Sequence, residues 1–196
     1  MSRVVRMWCL RHAESVNVTS AVAGAVPSAP LTSRGHHQAK EAAELLAAEP
    51  ISHVYTSTAL RSRQTADALT APATSMSELD EVGIGRHEGT TDPAIRRRTA
   101  AVLRAWVVDQ DLSQQVGDGE TGRQVLARMT KAFDHIIAAH TGGTVALVGH
   151  VASLTTALAH LCALGAHVWG TPLPHARPFL VEWNGQEWRC PDWPHS

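Results

Sequence analysis

Between Asp134 and Arg177 the chain contains no Asp, Glu, Lys or Arg. A tract of that length without a formal charge has to be buried, and about twenty continuous apolar residues suffice to cross a bilayer. Gly142-Gly143 and Gly149-His150 cut it into pieces too short for a crossing. What remains is a short apolar run, 145–148, followed by a charge-free helical segment, 151–164. This is the pattern of a strand and then a helix buried inside an α/β protein.

The same kind of strand stands near the start. Residues 4–10 are almost continuously apolar and stop at Arg11-His12, a run too short for a signal sequence. Residues 16–30 read as an irregular loop, residues 35–48 as a helix behind Thr32, and 51–55 as a second strand. Thr56-Ser57-Thr58 is the expected N-cap of a helix running to about residue 69. A brief strand at 74–76, a loop carrying Glu78, Asp80, Glu81 and Glu88, and one or two polar helices over 93–114 follow. Val125, Met129, Phe133, Ile136 and Ile137 recur at helical spacing within 120–140. Residues 179–183 and a short pairing near Trp188 complete the chain. Strands alternating with helices predict an α/β fold, a three-layer α/β/α sandwich with a mostly parallel central sheet. The 196 residues are expected to form a single domain over 1–196.

Composition narrows the partners. Seventeen basic residues against eighteen acidic give a net charge of −1, so no overall field draws the protein to nucleic acid or to an anionic membrane, and neither is expected as a partner. Fifteen of the basic residues are Arg, the side chain suited to bidentate anion binding. Cys9, Cys162 and Cys190 are odd in number and have no zinc-type spacing, so no metal site is expected and a reducing cytoplasm is the expected location. Trp183, Trp188 and Trp193 offer an apolar C-terminal patch through which a homodimer is conceivable.

Ligands of doubly wound sheets sit beyond the carboxyl ends of the strands. Arg11-His12 follows the first strand, Ser57 with Arg61 the second, and Gly149-His150 the strand at 145–148. If those strands are neighbours, two histidines and two arginines converge on a cationic pocket fit for a phosphoryl group.

These residues resemble the histidine phosphatase superfamily, the phosphoglycerate mutase-like, two-histidine phosphatases. Leu10-Arg11-His12-Ala13-Glu14-Ser15 is similar to its opening LRHGES motif, and Leu31-Thr32 through Gly35 to Gln38-Ala39 to LTxxGxxQA. Ser57 through Arg61 to Gln64-Thr65-Ala66 resembles SSxLxRAxQTA, and Leu79-Asp80-Glu81 through Gly85 to Glu88-Gly89 resembles LxExxxGxxEG. Gly119-Glu120-Thr121 with Arg128 looks like GES and its helix arginine, and Val148-Gly149-His150 stands where SHGG begins. The ordered set spans residues 4–155. Departures are Ala13 for a glycine, Asn17 one position before the family's asparagine, Gly149 for a serine, Val151 for a glycine, and His175 near the place of a frequent asparagine.

The resemblance implies a phosphoglycerate mutase-like fold and a metal-independent phosphomonoesterase acting on a small phosphorylated metabolite, with no cofactor. It implies that His12 is the nucleophile, that Arg11, Arg61 and His150 hold the phosphoryl oxygens, and that a partly buried Glu81 is the general acid and base. Asn17, Thr32, Ser57, Gly149 and His175 are further candidate substrate contacts, and 86–120 is the expected specificity insert. A phosphomutase ranks lower because the chain is short. A silent phospho-ligand binder ranks lower because it has no need of a nucleophile.

Overall fold

The computed structural model describes residues 4–194. Six strands form one sheet in the order β3-β2-β4-β1-β5-β6, with β1 at Val5–Arg11, β2 at Ile51–Thr56, β3 at Ala73–Ser75, β4 at Gly143–Gly149, β5 at Phe179–Trp183 and β6 at Trp188–Arg189. β1 pairs parallel with β4, β4 with β2, and β2 with β3, while β5 and β6 add antiparallel strands at one edge.

Side chains of a strand alternate between faces, and the central strands feed two cores. Met7, Cys9, Val145, Leu147 and Tyr55 face one of them, under α4 (Pro93–Val107), α5 (Gly122–Ala139) and α6 (Val151–Leu161). Leu10, Ala146, Val148 and Val54 face the other, under α2 (Ser33–Leu45) and α3 (Leu60–Ala66). The uncharged tract is accounted for directly: β4 lies in the middle of the sheet, and residues 152–159 of α6 are buried without a break. Among the described residues no helix is long and apolar enough to cross a membrane.

Local signals set the helix starts. Thr32 Oγ1 accepts from Gly35 N–H at 3.0 Å, Asp92 Oδ1 accepts from Ala94 N–H with Pro93 in the first turn, and Thr121 with Gln124 forms a capping box.

Several expectations need correction. The stretch taken as loop contains a short helix, α1, Val16–Thr19. Thr56-Ser57-Thr58 is not a cap: Thr56 belongs to β2, and α3 begins after Ala59 without a side-chain cap. α4 ends at Val107 and α6 at Leu161, short of 114 and 164. Of the three tryptophans expected to form a surface patch, Trp188 and Trp193 are buried and stack edge-on against Phe133 and Phe179, and Trp183 is partly buried.

Candidate active site

β2, β4 and β1 are adjacent and parallel, so their carboxyl ends open together. Arg11 ends β1 and His12 follows it; Ser57 follows β2, with Arg61 in the first turn of α3; His150 follows β4 at the head of α6. These side chains meet: the His12 and His150 rings lie 5.1 Å apart, edge to face, and Arg61 bridges them.

His12 is buried, and its N–H donates to the Gly149 carbonyl at 2.9 Å. Its ring Nδ1 lies 2.7 Å from the Ala13 carbonyl, which can only accept, so the proton sits on Nδ1 and the lone pair on Nε2. Arg61 Nε–H donates to that lone pair at 3.1 Å. Burial, and then the Arg61 cation, push the His12 pKa well below the usual histidine value of 6.5. The imidazole is held as a free base with its nucleophilic nitrogen fixed.

Arg61, 1% exposed, is the largest charged group inside the protein. Its NH1 and NH2 donate to the carbonyls of Val26 and Ala25, both at 2.8 Å. Those two residues belong to a loop that Glu88 ties down by accepting from Ala25 N–H at 2.7 Å and Ile84 N–H at 2.7 Å. Val26 has a φ of +35°, a strained backbone for a β-branched residue that persists only where its surroundings fix it. Burial lowers the Arg61 pKa, opposed by the carboxylates of Glu81, Asp80 and Glu88.

Arg61 NH2 also donates to His150 Nδ1 at 3.1 Å. His150 Nε2 therefore carries the proton and donates to Ser57 Oγ at 2.7 Å. Burial is the first cause of its depressed pKa, with His12 and Arg61 adding to it. Both ring nitrogens of His150 are thus occupied by protein groups, and Ser57 and His150 orient Arg61 instead of lining the cleft.

Arg11 donates from NH1 to the Leu173 carbonyl at 2.9 Å, while its buried Nε–H has no partner among the described residues. Burial pushes the Arg11 pKa down to about 10, which leaves it charged at neutral pH. Glu81 sits half-buried at the amino end of α6. Its Oε1 accepts from Val82 N–H and Ser153 N–H, at 2.9 and 3.0 Å, and its Oε2 only from Ala152 N–H, at 3.2 Å. These backbone donors make its surroundings polar and leave Oε2 lone pairs open.

A cleft of about 210 Å³ is walled by Arg11, His12, Asn17, Arg61 and Glu81, together with Arg96 and Thr99 of α4. The other acids are engaged elsewhere: Asp80 accepts from Thr58, Glu78 pairs with Lys131, and Glu88 holds its loop. Asn17 Oδ1 accepts from Ser15 Oγ at 2.7 Å. Besides Ser57 and His150, three further candidate contacts lie off the cleft wall. Thr32 caps α2 and donates to Glu14 Oε1, Gly149 supplies the carbonyl beneath His12, and His175 Nδ1–H donates to the His12 carbonyl at 2.9 Å with the two rings 5.6 Å apart. Among the described residues no group of three or more His, Cys, Asp or Glu is arranged to hold a metal ion.

Two parts of the site were beyond sequence reasoning. The carbonyls of Ala25 and Val26 are backbone groups and leave no side-chain signal. Arg128 was visible only as part of a motif; in the fold its Nε–H donates to Glu120 Oε1 at 2.7 Å, and its NH1 to the carbonyls of Glu78 and Asp80 at 2.9 and 2.7 Å. It thereby holds the loop that presents Glu81.

The fold is shared with solved structures. YhfR of Bacillus stearothermophilus is 25% identical over 95% of each chain, with a TM-score of 0.81. A mycobacterial glucosyl-3-phosphoglycerate phosphatase solved with VO3 is 22% identical over 100% of each chain, at 0.79. The alpha-ribazole phosphatase of Shigella flexneri is 21% identical over 94% of each chain, at 0.77. No curated protein sequence matches the chain. The sequence does match the histidine phosphatase superfamily (branch 1) over residues 7–195, and with that span and this fold the chain belongs to the histidine phosphatase superfamily.

Proposed function

We propose that the protein is a metal-independent phosphomonoesterase that hydrolyses a small phosphorylated metabolite through a phosphohistidine at His12. The observation that carries this reading is the state of His12, a buried free-base imidazole whose Nδ1–H is committed to Ala13 and whose Nε2 lone pair lies in the cleft with two arginines. Family membership supports phosphoryl transfer, and two of the structurally similar proteins are named as phosphatases.

In the first step Nε2 attacks phosphorus, the N–P bond forms, and the P–O ester bond breaks. The Arg61 Nε–H turns from the lone pair to a phosphoryl oxygen as phosphorus arrives, and the unpartnered Arg11 Nε–H meets another. Such preorganised donors stabilise charge on the equatorial oxygens without a reorganisation cost at the moment of reaction. Glu81 is the general acid, giving a proton to the departing alkoxide from Oε2. In the second step Glu81 takes a proton from water, the hydroxyl attacks phosphorus, the N–P bond breaks, and inorganic phosphate leaves with His12 a free base again. His150 holds Arg61 in place through both steps.

The test is phosphate release from a panel of phosphomonoesters in EDTA. Turnover is expected to survive the chelator, to fall to background in His12→Ala, and to drop about 10²–10⁴-fold in Glu81→Gln. Hydrolysis that requires an added divalent ion, or that persists in His12→Ala, overturns the reading.

A further inference from the structure

Beside the phosphoryl cleft lies a second chamber of about 360 Å³, within the roughly 300–1,000 Å³ range of small-molecule sites. The two adjoin: Arg11, Arg96, Thr99, Val151 and Ala152 belong to the walls of both. For a phosphomonoester whose phosphoryl group is held at His12, this chamber lies within reach of the alcohol half.

The chamber's character is set by three elements. α4 turns Arg96, Thr99, Ala100 and Leu103 toward it, positions i, i+3, i+4 and i+7 that share one helical face. Opposite stands α6, with Val151, Ala152 and Thr155, and the segment after α6 closes it with Val168, Trp169 and Pro172. Apart from Arg11 and Arg96 on the side shared with the cleft, the lining carries no charge. The polar uncharged side chains of the lining are Thr99, Thr155 and Thr171. The Thr99 hydroxyl donates to the Ile95 carbonyl at 2.9 Å, and Thr155, 4% exposed, stands on the chamber wall. A hydroxyl on that wall can take one polar atom of a ligand.

We propose that the substrate's alcohol half is an apolar, ring-bearing group that fills this chamber, with one polar atom meeting Thr155. This inference rests on the phosphomonoesterase reading and adds the substrate class to it. A polyhydroxylated alcohol is disfavoured there, because most of its hydroxyls meet apolar wall with few hydrogen-bond partners.

The experiment compares three phosphomonoesters of similar leaving-group basicity: ethyl phosphate, glycerol 3-phosphate and 2-(2-naphthyl)ethyl phosphate. The expected result is a kcat/KM for the naphthylethyl ester higher than for the other two by about tenfold or more, the scale of filling an apolar pocket. Trp169→Ala, a change at an exposed residue, and Leu103→Ala are expected to erase most of that preference, read as the ratio of kcat/KM for the naphthylethyl ester to that for ethyl phosphate within each variant. Equal or poorer use of the naphthylethyl ester, with the small esters still hydrolysed, overturns the inference and leaves the phosphatase reading standing. If no ester is hydrolysed, the phosphatase reading fails, and calorimetric titration of the same esters decides the chamber. Tighter binding of the naphthylethyl ester that is lost in Trp169→Ala supports it, and equal binding refutes it.

Discussion

At His12 the burial that keeps the nucleophile unprotonated also makes the fold sensitive to acid. The pKa values of His12 and His150 are both pushed well below 6.5, burial being the first cause in each. In the unfolded chain both return to about 6.5. The sign follows: below 6.5 the unfolded state binds protons that the folded state refuses, so stability is intact above that value and falls as the pH drops toward the depressed folded values. Each such histidine contributes a slope of about 1.4 kcal/mol per pH unit in that window. Urea unfolding at pH 7.0, 6.0 and 5.5 is expected to show stability falling with acid, and His12→Asn is expected to remove one histidine's share of the slope. A wild-type stability that is flat over this range contradicts the placement of both rings. The acid limb of kcat/KM is likewise expected below pH 6.5, since His12 stays a free base there.

At the scale of elements, the loop before residue 84 and the helix α5 work as a unit. Arg128 donates to the carbonyls of Glu78, Asp80 and Glu81 and pairs with Glu120, whose Oε2 in turn accepts from Gly83 N–H at 2.9 Å. Arg128→Gln removes the cation from this hub and is expected to cost about 1–3 kcal/mol of stability. Because the loop carries Glu81, kcat is expected to fall more than KM rises. Full kcat alongside the stability loss would reduce Arg128 to a structural role. This hub shows what local pattern conveys and what it withholds. The helix 122–139 was legible from its apolar spacing and its Thr121 cap, but the reach of Arg128 back to residue 78 joins segments 50 residues apart in sequence. Similarly, Ser57 looked like a helix cap because serine often is one, whereas its hydroxyl accepts from His150 and the helix starts after Ala59. One or two helices are expected over 93–114, yet the chain turns at Gln110, with φ +56°, and the Trp106 indole N–H donates to the Gln114 carbonyl to draw the loop back.

For the whole molecule, the rhythm of strand and helix was readable, and so was the burial of the uncharged tract, because both follow from local periodicity and charge. Strand order was not, since adjacency of β2, β4 and β1 depends on contacts far apart in the chain, and on that adjacency rests the meeting of His12, Arg61 and His150. Arg11, His12, Arg61 and Glu81 were singled out by residue type and motif and do share one cleft. Thr32, Ser57 and Gly149 hold the frame around it instead. The central claim is that this convergence makes His12 Nε2 a phosphoryl acceptor. The most direct measurement is a rapid acid-free quench of the enzyme turning over a ³²P-labelled phosphomonoester, followed by mapping of the label to a peptide and to a ring nitrogen. Base-stable, acid-labile label is expected on His12 at Nε2, because Nδ1 is committed to the Ala13 carbonyl. Label on Nδ1 or on another residue, or turnover with no labelled protein at any time point, contradicts it.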